Sequence, residues 1–152
     1  MWITRRADYA TRAMLALSLA GPDAMLTLND LAQRTATPRS VVEQVMLRLR
    51  SAGLVRSERG PNGGYRLNHA PSDITLERVV RLFEGQLAPI ECATRREPEH
   101  CPMEVGCSLR SVWEEVRDAT IAILEAVTFE DLAADAAGPW TGEVPIGTPR
   151  PA

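Results

Sequence analysis

Apolar residues recur at three- and four-residue steps along the first twenty positions, and this period predicts an amphipathic helix from about Ile3 to Ala20. The apolar positions are Ile3, Ala7, Ala10, Ala13, Met14, Leu17 and Leu19. Arginine and aspartate residues lie between them, so the segment lacks the unbroken apolar stretch of a signal peptide. Gly21-Pro22 follows, a pair that ends helices. No run approaches the ~18 apolar residues of a membrane span, and we expect no membrane association.

Two further helices are predicted directly after the first. Thr27 followed by Asp30 is a capping-box pair that begins the second helix. The third helix is predicted from Pro38 to about Ala52, with Thr37 as its N-cap and proline at its first position. Its apolar face comprises Val42, Val45, Met46, Leu49 and the following Leu54. Two short helices joined by a tight turn are typical of a helix-turn-helix.

Two short extended runs follow the third helix and flank a glycine-rich turn. The runs are Leu54–Ser57 and Gly64–Leu67, and the turn is Gly-Pro-Asn-Gly-Gly at 60–64. This pattern predicts a β-hairpin, which after a helix-turn-helix is the wing of a winged helix. A hairpin that only covers the core is the alternative. Arginines on both sides of the turn favour a wing that contacts DNA.

The second half of the chain carries another long apolar stripe. After a fourth helix at about Thr75–Glu84, the helical period returns for about five turns. The stripe comprises Leu109, Val112, Trp113, Val116, Ala119, Thr120, Ile123, Leu124 and Val127. Because little domain is left to pack on, we predict that this helix pairs with its twin in a homodimer; packing on its own domain is the alternative. Prolines and glycines from Gly138 onward predict a disordered tail.

Together these elements predict a mainly α-helical fold with one small β-hairpin. We divide the chain into a winged helix-turn-helix DNA-binding domain at residues 1–84 and a cysteine-rich loop at 85–108. A dimerisation helix with a short terminal turn follows at 109–132, and a tail completes the chain at 133–152.

The formal charge of the 152-residue chain, −3, conceals an asymmetry. Residues 1–70 carry ten arginines and five acids, whereas residues 71–152 carry seven arginines and fifteen acids. A basic front half on an acidic protein favours a nucleic-acid-binding domain. The chain has no Ser-His-Asp set, phosphate-binding loop or paired carboxylates, so we do not expect an enzyme.

All three cysteines, Cys92, Cys101 and Cys107, lie in one polar stretch that contains proline and glycine. In the cytoplasm, where we expect the protein, thiols stay reduced, and such a group favours metal or redox chemistry over a structural disulfide. The residues leave three alternatives. They are an iron–sulfur site with a fourth ligand from elsewhere, a zinc site completed by His100, and a metal-free thiol switch.

Several motifs occur in a diagnostic order. They are Ile-Thr-Arg-Arg-Ala-Asp-Tyr-Ala at 3–10, Ser-Val-Val-Glu-Gln at 40–44, Leu-Arg-Ser-Ala-Gly-Leu-Val at 49–55, Arg-Gly-Pro-Asn-Gly-Gly-Tyr-Arg-Leu at 59–67, and the cysteine loop with Leu-Arg-Ser-Val-Trp at 109–113. Over residues 1 to about 132 the chain resembles the IscR/NsrR-type winged-helix transcription regulators of the Rrf superfamily, and it looks closer to the NsrR-like branch. The resemblance implies a homodimer that binds a promoter palindrome and carries an iron–sulfur cluster, 4Fe–4S in preference to 2Fe–2S.

The resemblance also implies which residues contact double-stranded promoter DNA. In the family the third helix enters the major groove, which by position implies contacts for Ser40, Glu43 and Gln44, with Arg39 beside them. Glu43 is suited to the amino group of cytosine, and a solvated helix face is its alternative. Arg59 is implied to lie in the minor groove, where narrow grooves attract arginine. The adjoining wing residues of this interface are Gly60, Asn62 and Gly63.

The fourth ligand separates two branches of the family. IscR-like members place a histidine where this chain has Arg110, and arginine is not a metal ligand at cellular pH. The NsrR-like branch uses an acid of the first helix from the partner subunit, and Asp8 holds that position. His100 is the rival ligand, and a carboxylate favoured by the helix dipole is the alternative for Asp8. We therefore expect a repressor that senses nitric oxide or redox and iron–sulfur status; a zinc-stabilised or thiol-switch regulator is the alternative.

Overall fold

The chain forms six α-helices and one two-stranded antiparallel hairpin in the part that the structure describes. The structure is a computed structural model and describes residues 3–94, 101 and 105–136. Its elements are α1 (Arg5–Ala20), α2 (Leu28–Thr35), α3 (Arg39–Ser51), β1 (Val55–Glu58), β2 (Gly64–Leu67), α4 (Leu76–Glu84), α5 (Leu109–Glu125) and α6 (Phe129–Ala134). Short 3-10 turns lie at Pro71–Asp73 and Glu91–Ala93. The predicted fold class is confirmed.

Helix α1 lies at the centre of the core and contacts α2, α3, α4, α6 and β2. Its small side chains let these neighbours approach closely. The buried residues of α1 are Ala7, Ala10, Ala13, Met14, Ala16 and Leu17. The predicted apolar face of α3 is buried as well: Val42, Val45, Met46, Leu49 and the following Leu54. Burial of one large aliphatic side chain contributes about 1.5–3 kcal/mol, so the helical period of these residues is enough to direct the packing.

The first two helices begin at threonine caps. Thr4 is the N-cap of α1, and its hydroxyl accepts a hydrogen bond from the amide of Ala7 at 3.3 Å. The predicted capping box of α2 is confirmed, because the Thr27 hydroxyl accepts from the Asp30 amide at 3.2 Å while the Asp30 carboxylate accepts from the Thr27 amide at 2.8 Å. The hydrogen bonds from the Thr27 hydroxyl and amide hold the pKa of Asp30 below its ordinary value.

The predicted cap of α3 is wrong. Thr37 is buried, and its hydroxyl donates to the carbonyl oxygen of Thr35 at 3.1 Å instead of capping the helix. The helix begins at Arg39, and Pro38 is the N-cap residue rather than the first helical position. The cause is the preceding turn, where Ala36 adopts a left-handed backbone with φ 49°.

The hairpin forms as predicted, with β1 shifted by one residue to Val55–Glu58. A further segment bonds to its edge: Leu26 donates its amide to the carbonyl of Tyr65 at 3.0 Å and accepts the Tyr65 amide at 2.8 Å. Gly64 lies so close to this segment that a Cβ atom would be 2.6 Å from the carbonyl oxygen of Leu26. The hairpin is therefore anchored to the segment that leads into α2.

The chain returns to the N-terminal core after α5. Phe129 of α6 is fully buried, and its amide donates to the carbonyl oxygen of Ile74 at 3.0 Å. The amide of Leu76 donates to the carbonyl oxygen of Val127 at 2.8 Å. These bonds place the starts of α4 and α6 side by side, so the short terminal helix completes the core that α1 organises.

Helix α6 ends at Ala134 and so includes the first two residues of the segment predicted as a tail. Residues 135 and 136 follow the helix, and residues 137–152 of that segment lie outside the described residues. Within the described part of the chain, no helix is long and apolar enough to cross a membrane.

Helix α5 leaves most of its apolar stripe uncovered. Its buried residue is Ile121, which packs with Val80 and Leu87. Four large apolar residues of the helix are between 42 % and 67 % exposed: Leu109, Val112, Val116 and Ile123. An exposed apolar surface of this kind commonly marks a protein–protein contact. That α5 pairs with a second copy stays a prediction.

Candidate DNA interface and cysteine segment

The residues predicted to contact bases lie together on the exposed side of α3. Arg39, Ser40, Glu43 and Gln44 are all exposed, opposite the buried face of the helix. Sequence reasoning missed Leu47, which follows Glu43 by one turn and is 43 % exposed. An exposed apolar side chain next to such a surface suits the methyl group of thymine. The sequence could have indicated Leu47, because it is an apolar residue of α3 that falls outside the predicted apolar face.

The tip of the hairpin is shaped by two glycines. Gly60 has φ 124°, a conformation that L side chains rarely adopt. The amide of Gly63 donates to the carbonyl oxygen of Gly60 at 3.0 Å, and the carbonyl oxygen of Glu58 leaves no room for a Cβ atom on Gly63. Gly63 is half-buried, whereas Arg59 and Asn62 are exposed. The glycines therefore form the turn, and Arg59 and Asn62 are the side chains that it presents.

Charges on the hairpin stem offset one another. Arg56 and Arg66 are directly opposite in the register, where like charges repel. Glu58 lies on the same face and accepts a hydrogen bond from Arg66. In the described part of the chain, Arg59 takes part in no ion pair. The tip therefore carries an uncompensated positive charge, as a minor-groove contact requires.

The three cysteines are half-buried and form no disulfide. Cys92 lies in the 3-10 turn Glu91–Ala93, and Cys107 lies two residues before α5. Residues 95–100 and 102–104, which join the three cysteines and include the rival ligand His100, lie outside the described residues. Within the described residues, no three histidine, cysteine, aspartate or glutamate side chains gather into a group that could hold a metal ion.

The chemistry of these donors fits the iron–sulfur cluster that the resemblance implies. Three half-buried thiols within one short stretch of sequence are soft ligands of the kind that iron–sulfur clusters take. A fourth donor has to come from outside the segment. Zinc takes the same thiolates with a nitrogen donor, so the identity of the fourth donor distinguishes the two metals.

Arg117 connects the first cysteine to α5. Its guanidinium donates to the carbonyl oxygen of Ala93, the residue after Cys92. It also donates to both carboxylate oxygens of Asp118, at 2.8 and 3.1 Å, and these hydrogen bonds raise the pKa of Arg117. The Arg117 side chain is 11 % exposed and the Asp118 side chain is 47 % exposed, so the donor is covered while its carboxylate partner faces solvent. The sequence signal for Arg117 is an arginine that borders the apolar stripe of α5.

Asp8, the predicted fourth ligand, is engaged within its own helix. Arg12, one turn later, donates to both carboxylate oxygens, at 3.0 and 2.7 Å. The two side chains are 41 % and 39 % exposed, so the pair is accessible from solvent. A metal bound by Asp8 would compete with Arg12 for the same carboxylate oxygens.

The start of α1 is joined to the end of α4. The Oε1 atom of Glu84 accepts hydrogen bonds from the amide of Thr4 at 2.9 Å and from its hydroxyl at 2.7 Å. Asp8 lies one turn beyond Thr4, and the predicted cysteine loop begins directly after Glu84. Glu84 therefore connects the two parts of the chain that carry the predicted ligands.

Helices α2 and α3, the anchored hairpin and its basic tip define a winged helix-turn-helix protein with an appended cysteine segment. The sequence profile of the family described as Rrf2, iron-dependent transcriptional regulator, matches residues 3–135. The chain belongs to the Rrf2 family, so the predicted membership of this superfamily is confirmed. It is accordingly a regulator of transcription and not an enzyme.

Individual relatives agree with this assignment. An rrf2-like HTH-type transcriptional regulator of Rhodobacter capsulatus is 37 % identical over 139 residues, which cover 87 % of this chain and 92 % of the relative. The HTH-type transcriptional regulator IscR of Photobacterium profundum is 32 % identical, over 89 % of this chain and 77 % of the relative. The solved structure of CymR, titled the global cysteine regulator of B. subtilis, matches with a TM-score of 0.77 at 31 % identity, and the match covers 90 % of this chain and 98 % of that chain.

Proposed function

We propose that the protein is a cytoplasmic homodimer that binds palindromic promoter DNA and represses transcription in response to the state of an iron–sulfur cluster. The observation that carries this proposal is the attachment of the cysteine segment. Glu84, the residue before the segment, accepts hydrogen bonds from Thr4 at the start of α1, and Arg117 of α5 donates to the carbonyl oxygen of Ala93 within the segment. A change in the segment therefore reaches both the DNA-binding core and the proposed dimer helix.

The DNA-binding surface consists of α3 and the wing. Ser40, Glu43 and Gln44, with Arg39 beside them, face the bases or phosphates of the major groove, and Arg59 enters the minor groove. Their exposure on one side of α3 and at the hairpin tip supports these roles. In a dimer, two such surfaces bind half-sites about 34–36 Å apart, which is one turn of DNA.

The proposed dimer contact is the uncovered stripe of α5. Large apolar residues that are half exposed on a 17-residue helix are stabilised when a second copy covers them. The exposed residues recur at spacings of three, four and seven along the helix, which is the pattern of a helix–helix seam.

The proposed ligands are Cys92, Cys101, Cys107 and the partner's Asp8, with His100 as the rival for the fourth position. A bound cluster, 4Fe–4S in preference to 2Fe–2S, supplies iron that reacts with nitric oxide and oxidants. Asp8 is suited to an exchangeable position because its carboxylate is accessible and its exposed ion pair with Arg12 is of the kind that contributes little stability. Asp8 therefore has two partners available, and a signal that favours Arg12 releases the segment from α1 of the partner subunit.

A metal-free thiol switch is the second candidate. The half-burial of all three thiols, which leaves each partly accessible to an oxidant, favours it, as does the structural similarity to the cysteine regulator CymR. In this alternative, two of the cysteines form a disulfide under oxidation.

Anaerobic purification followed by visible spectroscopy and iron, sulfide and zinc analysis tests the proposal. We expect a coloured protein with iron and sulfide, and a DNA site selected from random sequence by this form should bind the cluster-free form more weakly. Equal affinities of the two forms would rule out the switch. A colourless zinc protein would establish the zinc site, and a metal-free protein that forms a disulfide under oxidation would establish the thiol switch.

A further inference from the structure

A hollow of about 60 Å³ lies beside α3, where α1, α3 and α4 meet. Its lining comprises Arg6, Val41, Gln44, Val45, Arg48 and Phe83. Two of these residues are arginines from different helices, and no acidic residue lines the hollow. The hollow is therefore positively charged, with an apolar floor.

The charge of Arg48 is held in place without being neutralised. Its guanidinium carbon lies 5.0 Å from the centroid of the Phe83 ring, within the range of a cation–π contact. Within the described residues, neither Arg6 nor Arg48 forms an ion pair, although many other arginines of the chain do. An aromatic ring orients a guanidinium and leaves its N–H groups available to an anion.

The position of the hollow indicates which anion it takes. Gln44 lines it and also belongs to the exposed face of α3 that is proposed to enter the major groove. Arg48 follows Gln44 by one helical turn, on the flank of that face. The phosphates that border a major groove run along the flanks of an inserted helix, and arginine binds them through its planar fork.

We propose that this hollow is a seat for one DNA phosphate, bound by Arg6 and Arg48, and that Phe83 is the positioning residue of Arg48. The inference rests on the proposed insertion of α3 into the major groove and deepens it. It adds contacts that carry no base readout and that set the register of the helix on the duplex.

The seat also adjoins the attachment of the cysteine segment. Phe83 directly precedes Glu84, and Glu84 binds Thr4, which lies two residues before Arg6. Both walls of the seat are thus fixed by the end of α4. A displacement of that end changes the distance between Arg6 and Arg48, and so it changes phosphate binding without any change in the residues that read bases.

Salt-dependent DNA binding of the full-length protein tests the seat. The measurement is fluorescence anisotropy with the selected operator and with an unrelated duplex, from about 50 to 200 mM salt. The variants are Arg6→Ala, Arg48→Ala, Arg48→Lys and Phe83→Leu. Arg78→Ala is the matched control, because Arg78 is an exposed arginine of α4 that does not line the hollow.

We expect Arg48→Ala to weaken binding to both duplexes by a similar factor, roughly tenfold. The slope of the logarithm of the binding constant against the logarithm of the salt concentration should decrease in magnitude by about 0.9 for each seat lost. Arg48→Lys should retain the slope, because it retains the charge. Phe83→Leu should show a smaller loss than Arg48→Ala, and thermal unfolding checks that this variant is folded. The double alanine variant should lose less than the sum of the single variants, because both arginines share one phosphate.

Two results would overturn the seat: an unchanged salt slope in Arg48→Ala, as in Arg78→Ala, or a loss confined to the operator, which would indicate base readout. Failure of the proposed function has a different signature. In that case the wild-type protein itself does not prefer the selected operator, or binds it equally with and without the cluster. If the wild-type protein prefers the operator and depends on the cluster, but the variants keep the wild-type salt slope, only the phosphate seat is rejected.

Discussion

Arg117 donates a hydrogen bond to the main-chain carbonyl of Ala93, so the residue next to Cys92 is bonded directly to α5. The donor is nearly buried and is itself held by the carboxylate of Asp118. Together with the full burial of Ala93, this bond joins the turn that carries Cys92 to the proposed dimer helix. Movement of the first cysteine and movement of α5 are therefore coupled.

Replacing Arg117 with methionine should release the turn that carries Cys92. The substitution keeps most of the side-chain volume and removes the donor, so we expect the free energy of unfolding to fall by about 1–3 kcal/mol. In metal-free protein, the alkylation rate of Cys92 should rise several-fold relative to Cys107, measured by mass spectrometry. Arg117→Lys keeps a donor and should restore much of the protection. An unchanged ratio of the two rates would show that the bond does not position Cys92.

Replacing Asp8 with alanine should separate the ligand role from the structural role. The ion pair with Arg12 is exposed, and such pairs contribute about 0–1 kcal/mol, so the metal-free protein should keep nearly its full stability. If Asp8 is a ligand, the cluster should be lost to a chelator several-fold faster than in the wild type. Arg12→Ala removes the competing partner of Asp8 and should slow the loss of the cluster to the chelator. Equal rates of cluster loss in the wild type and in Asp8→Ala would show that Asp8 is not a ligand and would favour His100 as the fourth ligand.

Acidification should weaken the cap of α2. The hydrogen bonds from Thr27 lower the pKa of Asp30 in the folded state, so this group stabilises the fold above its unfolded pKa of about 3.9. The contribution is lost as the pH falls through the lower folded-state pKa. The stability difference between wild type and Asp30→Asn should be constant near neutral pH and shrink below about pH 4, as chemical denaturation at several pH values would show. Asp23→Asn, in the exposed loop before α2, is the control. A difference that persists at low pH would contradict this account.

The helices and the wing were accessible to sequence reasoning because each has a local pattern. The buried face of α3 follows from the spacing of its apolar residues, and the hairpin follows from two short runs around glycines. The bridge between Leu26 and Tyr65 has no such pattern, because a single paired residue leaves no alternation to detect. Thr37 was expected to cap α3 because threonine favours that position. The left-handed Ala36 redirected it, and alanine gives no indication of that conformation.

The candidate site was predictable to a similar extent. The resemblance to the family implies Arg39, Ser40, Glu43 and Gln44 as DNA contacts, and their shared exposure follows from the helical period of α3, so their grouping was predictable. The bonds of Arg117 and Glu84 were not, because both reach across the fold to partners 24 and 80 residues away. A contact of that separation depends on how helices pack, which one sequence does not reveal.

Replacing Ile123 with glutamate should disrupt the proposed dimer and leave the subunit folded. Ile123 is 67 % exposed in the single chain, so the substitution costs little within one subunit. In a dimer it would bury an unpaired charge, which is strongly unfavourable. Sedimentation at micromolar concentration should therefore show monomers and a loss of operator binding. Ala122→Glu changes the neighbouring exposed position, off the apolar stripe, and should remain dimeric. If the Ile123→Glu protein remained dimeric, the dimer contact would not include this part of α5.

The close approach of Gly64 to Leu26 has a consequence for how this protein diverges from its relatives. The stem of the wing shares its main-chain hydrogen bonds with the segment that opens the helix-turn-helix, so neither part can shift alone. Arg59 and Asn62 at the tip, and the exposed positions of α3, lie on that common frame without supporting it. If these side chains contact DNA as proposed, substitutions at these positions would change which promoters are bound and would leave the main-chain bonds between Leu26 and Tyr65 intact.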